Sequence, residues 1–248
     1  MVKTRRHVRI ALALGVASAA SVALLYPYLL VLIPKLGKTA IPLWALVPIQ
    51  AVQGGLQLFA LGWVGLRVGA PLGLDAPLLR AWLDDPASRP ASTRFGRVAL
   101  LGLAVGALLV ALDRWLFLPA QPEAIRALGA AIARWKGLLA SFYGGIGEEV
   151  ITRQFLMSLV AWVLVKLARR RAPAVYVAAA VIAALAFAAA HLPAAAQLAP
   201  LDRAVVARVI VLNGVAGIAF GLLFWRRGLE HAMVAHFCAD LVLHVVAP

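Results

Sequence analysis

Glu148 and Glu149 stand side by side in the run GEEVITR, with Arg153 four residues beyond the second acid. On a helix, an acid four residues N-terminal to an arginine is placed for an intrahelical ion pair, so Glu149 and Arg153 are expected to neutralise each other. Glu148 is turned about 100° away from that pair. One guanidinium cannot satisfy two carboxylates in a low dielectric, so Glu148 is the acid left to do chemistry, given a partner from elsewhere in the chain. Gly144, Gly145 and Gly147 would let another helix approach closely at this level. His191 ends the apolar run LAFAAAHLP, four residues after Phe187. A third group lies in HAMVAHFCADLVLH, where His236 and Asp240 share a helical face and His244 extends the stripe by a turn, while His231 points elsewhere. His231 and His244 are expected to belong only to a charge-paired interfacial helix end. A carboxylate beside an imidazole can take a proton from water and return it to a leaving amine.

These groups sit in a chain that is 64% hydrophobic and only 14% charged over 248 residues, with a mean hydropathy of +0.93. A soluble domain of this size must cover itself with polar groups, so the composition excludes one and requires an all-α polytopic transmembrane helical bundle. In such a medium each ionisable group costs at least a few kcal/mol, which makes the three groups above functional candidates by default. The net charge of +14 does not imply a nucleic-acid partner, because the basic residues flank apolar runs, as in VKTRRHVR, KLARRR and the WRR ending at Arg227. The single cysteine, Cys238, rules out an intramolecular disulfide and is expected to be an inert small side chain.

About seven spans, six to eight, are expected in a single membrane domain covering residues 1–248. The first runs from Ile10 to Pro34, too long for a typical signal-peptide core, so it is expected to be retained. A second runs from Thr39 to Leu66, and a polar connection with room for a short interfacial helix follows from Arg67 to Arg97. Span three covers Val98 to Leu118, with Asp113 and Arg114 near its far end. A long helix is expected from Ala124 to Arg170, then spans from Ala174 to His191, from Val205 to Trp225, and from Leu229 onward. The richer basic clusters fall on one side if the N-terminus is cytoplasmic, and an odd span count then places the C-terminus outside. Arginine far outnumbers lysine and alanine is abundant, an association with high-GC bacteria that suggests a bacterial inner membrane.

EExxxR, FxxxH and HxxxD occur in this order on three hydrophobic segments. In that combination the sequence resembles the CPBP family, the Rce1/CAAX-protease-like intramembrane proteases, also called the Abi family, which include bacteriocin-processing and immunity proteins. The resemblance covers Leu138 to Val246, expected as a catalytic core over 138–246. It implies hydrolysis of a peptide bond in a membrane-associated protein or peptide. Glu148, with Glu149 beside it, and His191 would activate a water, and His236 with residue 240 would stabilise the oxyanion. Position 240 departs from the family, whose best-known members carry asparagine there. An ionised Asp240 has no hydrogen for an oxyanion, so it must be protonated, orient His236 or ligate a metal. Glu148, His191 and His236 would also serve as a zinc set; spacing leaves both mechanisms open, and a metal-free glutamate mechanism without cofactor is the expectation. Two other readings stand beside the protease. One is a proton-coupled transporter, which should show pseudo-symmetric halves that are not visible here. The other is a non-catalytic immunity or scaffold member of the same fold, which should have lost more of the motifs.

Overall fold

The computed structural model describes residues 2–84 and 94–247. Seven helices among them are long and apolar enough to cross a membrane, and the protein is an all-α integral membrane bundle. In chain order these are α1 (Val2–Leu32), α2 (Leu43–Gly69), α4 (Phe95–Leu112), the long span α5 (Arg134–Ala168), α6 (Pro173–Ala190), α7 (Arg203–Arg227) and α8 (Leu229–Leu241). The short helix α3 (Pro77–Asp84) lies in the connection after α2; residues 85–93 of that polar connection lie outside the described residues. Large apolar side chains such as Trp44, Leu56, Leu100 and Trp115 point outward, as a lipid-facing surface requires.

Lipid tails are as apolar as leucine, so helices in a bilayer associate by close packing and not by hiding apolar area. Small residues supply that closeness here. α4 and α8 meet at Gly102, where a Cβ would collide with the backbone of Ala235, so the helix bearing His236 is held flush against its neighbour. α6 and α7 meet at Gly217 against Ala184 in the same way. α1 and α2 run antiparallel, with Gly15 beside Phe59 and Ala19 beside Gly55.

The uninterrupted helix expected from Ala124 to Arg170 is broken. Two isolated turns, Glu123–Arg126 and Leu128–Ala131, are followed by extended backbone at Ile132 and Ala133 before the span begins at Arg134. The exposed pair of Arg126 with Glu123 belongs to this surface segment and not to the span. Nor is the span uniformly α-helical. It winds as π-helix over Tyr143–Glu148 and again over Val150–Met157, around the glycine-rich GGIGEE run. π windings are uncommon and concentrate at functional sites. α4 likewise continues as a π turn, Asp113–Phe117, and α8 as another, Val242–Val246.

Candidate functional site

Each motif residue owes its position to a different device. Glu148 and Glu149 leave the π-wound middle of α5 in different directions. Glu149 is fully buried and Arg153 nearly so, at 0% and 1% side-chain exposure, whereas Glu148 keeps 22%. Arg153 Nη2 lies 3.1 Å from Glu149 Oε1, at the expected spacing of four residues. This contact is not aligned as a hydrogen bond, and the Arg153 nitrogens have no aligned acceptor among the described residues. The guanidinium sits instead over the Phe187 ring, 5.4 Å from its centre, so the pair is held by charge and by the aromatic face.

His191 caps the end of α6. Its Nδ1 lies 2.8 Å from the carbonyl oxygen of Phe187, and a carbonyl can only accept, so Nδ1 carries the hydrogen. The Phe187 ring meets the imidazole edge-on at 4.6 Å. The Phe187–His191 spacing thus fixes both the tautomer and the tilt of the ring, leaving Nε2 to face Glu148 Oε1 at 3.9 Å. His236 is held by α8 from the opposite side. Its Nδ1 donates to Glu149 Oε1 at 2.8 Å, its ring stacks on Phe220 at 4.8 Å, and its Nε2 faces Glu148 Oε2 at 3.7 Å. Asp240, one turn along α8, brings Oδ1 to 3.6 Å from the same Nε2. Lone pairs alone at these separations would repel, so at least one proton lies among Nε2 and the two carboxylates that face it.

Glu148, His191, His236 and Asp240 therefore line one cavity of about 550 Å³. The separations of 3.6 to 3.9 Å exceed a direct hydrogen bond and suit a bridging water or carbonyl oxygen. Gly144 makes the arrangement possible. A Cβ there would fall on Asp240 Oδ2 and come within 3.3 Å of His236 Nε2. The close approach foreseen for the glycine run is thus real at Gly144, and the group it admits is the Asp240 carboxylate itself.

Several features were not legible as motifs. Glu149 is partner to His236 as well as to Arg153, a contact across 87 residues of chain that no local spacing announces. His244, expected only at an interfacial helix end, lines the cavity and meets the Tyr28 ring at 5.5 Å. The last turns of α8 pack inside the bundle, because Gly137 admits the His244 backbone. His231 is buried at the other end of α8, against the Phe95 ring. Tyr28, Tyr143 and Asn213 also reach the cavity, as does a bidentate ion pair between Arg208 of α7 and Asp113 at the end of α4, with contacts of 2.6 and 2.7 Å. The intramembrane charge of Asp113 was a visible signal, but its partner lies 95 residues away.

The donor types suit zinc, yet among the described residues no group of three or more His, Cys, Asp or Glu side chains is arranged to hold a metal ion.

Residues 130–242 match the family model described as type II CAAX prenyl endopeptidase Rce1-like. The resemblance read from the three motifs holds over that segment, which contains all five candidate site residues and Arg153 and leaves α1 to α4 outside. No curated protein and no solved structure matches the chain.

Proposed function

Taking residues 130–242 as a segment of the Rce1-like endopeptidase family, we propose that the protein is an intramembrane endopeptidase that hydrolyses a peptide bond of a membrane-associated substrate. The observation that carries this reading is the half-open Glu148 carboxylate set between two imidazole Nε2 atoms, at 3.9 and 3.7 Å, inside a membrane-buried cavity.

In the proposed reaction Glu148, assisted by His191, removes a proton from water as the water oxygen bonds to the scissile carbonyl carbon. The carbonyl oxygen becomes an oxyanion facing His236, which carries hydrogens on both nitrogens at this stage. Nδ1–H is spent on Glu149, and Nε2–H is free to stabilise the developing charge. The C–N bond then breaks, and the proton held by Glu148 passes to the leaving nitrogen, giving a carboxylic acid and an amine. Glu149 is the positioning group for His236, and Arg153 offsets the Glu149 charge. Asp240 lies closest to where the oxyanion forms. In its protonated state it adds a second donor there.

A proton-coupled transporter would need a polar route to both ends of the bundle. Beyond Phe220 and His236 the interior is filled instead by Leu66, Met157, Phe224 and Leu229, all fully buried. The test is purified protein in proteoliposomes with candidate membrane peptides. Glu148→Gln keeps the side-chain volume but removes the base, so turnover should fall by about 10²–10⁴-fold with the fold intact. Unchanged cleavage by that variant would rule out Glu148 as the base, and no cleavage by the parent of any membrane peptide would remove the protease reading.

A further inference from the structure

The catalytic cavity runs from the middle of the bundle, at Phe220 and His236, towards one end of it. It is built by Tyr28 and Leu32 at the end of α1, Tyr143 in the first half of α5, the His191 turn after α6, Arg208 in the first half of α7 and His244 beyond α8. Successive spans alternate in direction, so these residues all approach one membrane face, to which the cavity opens. The opposite face is shut by the buried Leu66, Met157, Phe224 and Leu229. The connection after α2 lies over them. Asp75 accepts from the Leu229 backbone N–H at 3.0 Å through its own carbonyl, and Glu230 accepts from the Leu79 N–H at 2.7 Å.

The two faces differ in charge. The shut face carries Arg67, Arg80 (tied to Asp75), Arg94, Arg97, Lys166, the Arg169–Arg171 run and the Arg226–Arg227 pair. On the open face stand Lys35, Lys38, Arg114, Arg126, Arg134, Lys136, Arg203 and Arg208, of which Arg126 and Arg208 are each tied to an acid. Short basic connections stay in the cytoplasm, and the basic VKTRRHVR start of α1 falls on the shut face and adds to the excess there.

We propose that the catalytic cavity opens to the non-cytoplasmic face of the membrane and takes its substrate from there: an apolar segment of a translocated or outer-leaflet polypeptide. Leu25, Leu29, Leu109 and Leu212 on the cavity wall receive apolar side chains, whereas a segment lying on the cytoplasmic leaflet meets the shut end. The substrate half of this proposal rests on the protease reading; the sidedness does not.

The experiment uses the full chain in a bacterial inner membrane. With Cys238→Ala as background, single cysteines at Leu32→Cys and Arg170→Cys are exposed to a membrane-impermeant maleimide in spheroplasts and in inside-out vesicles. The Leu32→Cys label should appear in spheroplasts and be lost in inside-out vesicles, and the Arg170→Cys label should do the reverse. The opposite pattern, or equal labelling from both sides, overturns the proposal. Alkaline phosphatase fused after Pro248 of the unmodified chain gives a second reading without cysteine replacement. It should be active, and an inactive, stably inserted fusion overturns the proposal. For the substrate, single-span reporters present the same apolar segment on one face or the other, with Glu148→Gln as the blank. Cleavage only from the non-cytoplasmic face is expected, and cleavage from the cytoplasmic face overturns the assignment. The expected labelling with no cleavage from either face would sink the protease reading and the substrate class together, while leaving the sidedness standing.

Discussion

His236 Nε2 faces two carboxylates, Glu148 and Asp240, at nearly equal distances of 3.7 and 3.6 Å. The identity of residue 240 therefore decides how many hydrogens point at the proposed oxyanion position. Asp240→Asn supplies an amide N–H irrespective of protonation, so it should preserve or raise turnover if residue 240 faces the oxyanion. Were a metal held by this aspartate, the same change should abolish activity, because a neutral amide binds zinc poorly. Assay of the variant beside chelator-treated parent separates the cases: activity should survive chelation, and loss restored by zinc would overturn the metal-free mechanism. Arg153 tests the layer beneath. Its removal leaves Glu149 buried with only His236 as partner, so Arg153→Ala should lower stability by on the order of 3 kcal/mol, read as a fall in Tm and folded yield in detergent. An Arg153→Ala protein as stable as its parent but inactive would assign the guanidinium to substrate binding.

The decisive element is the first half of α5, where glycine-rich π-helix replaces the expected α-helix. It brings the two glutamates between α6 and α8, while Gly144 lets the Asp240 carboxylate lie directly on the α5 backbone. A methyl group at that position has no space without moving Asp240 and His236. Displacing reacting groups by about 1 Å commonly costs about 10²-fold in rate, so Gly144→Ala should lose turnover by about that factor while remaining folded by thermal shift. Wild-type turnover in Gly144→Ala would mean that α5 and α8 have slack at the site. The contact of Gly102 with Ala235 works at the same scale, fixing the depth at which α8 presents His236.

Across the whole molecule, helices outside the family match still build the site. α1 supplies Leu25, Tyr28, Leu29 and Leu32 to the cavity, and Asp113 from the end of α4 binds Arg208 of α7 at its wall. The matched segment holds the groups proposed to react, and the preceding helices line the cavity around them. One shut end and one open end also give the bundle a direction, and it is on this direction that the proposed orientation in the membrane is built.

Hydropathy determined the membrane class and the approximate spans, because twenty apolar residues are long enough to cross a bilayer whatever their neighbours. Spacing determined the Glu149–Arg153 contact, since residues four apart on a helix meet by local geometry alone. It also brought together Phe187 with His191 and His236 with Asp240. The break before Arg134 and the π winding of α5 were not legible, because both depend on small differences in backbone conformation that neighbouring helices can stabilise. Only the tertiary structure decided that Glu149 holds His236, that Glu148 faces two imidazoles, that His244 lines the cavity and that Asp113 finds Arg208. Each of these contacts joins different helices, and its distance depends on how closely and at what depth they pack, a quantity carried by small residues such as Gly102 and Gly144 in concert with their partners.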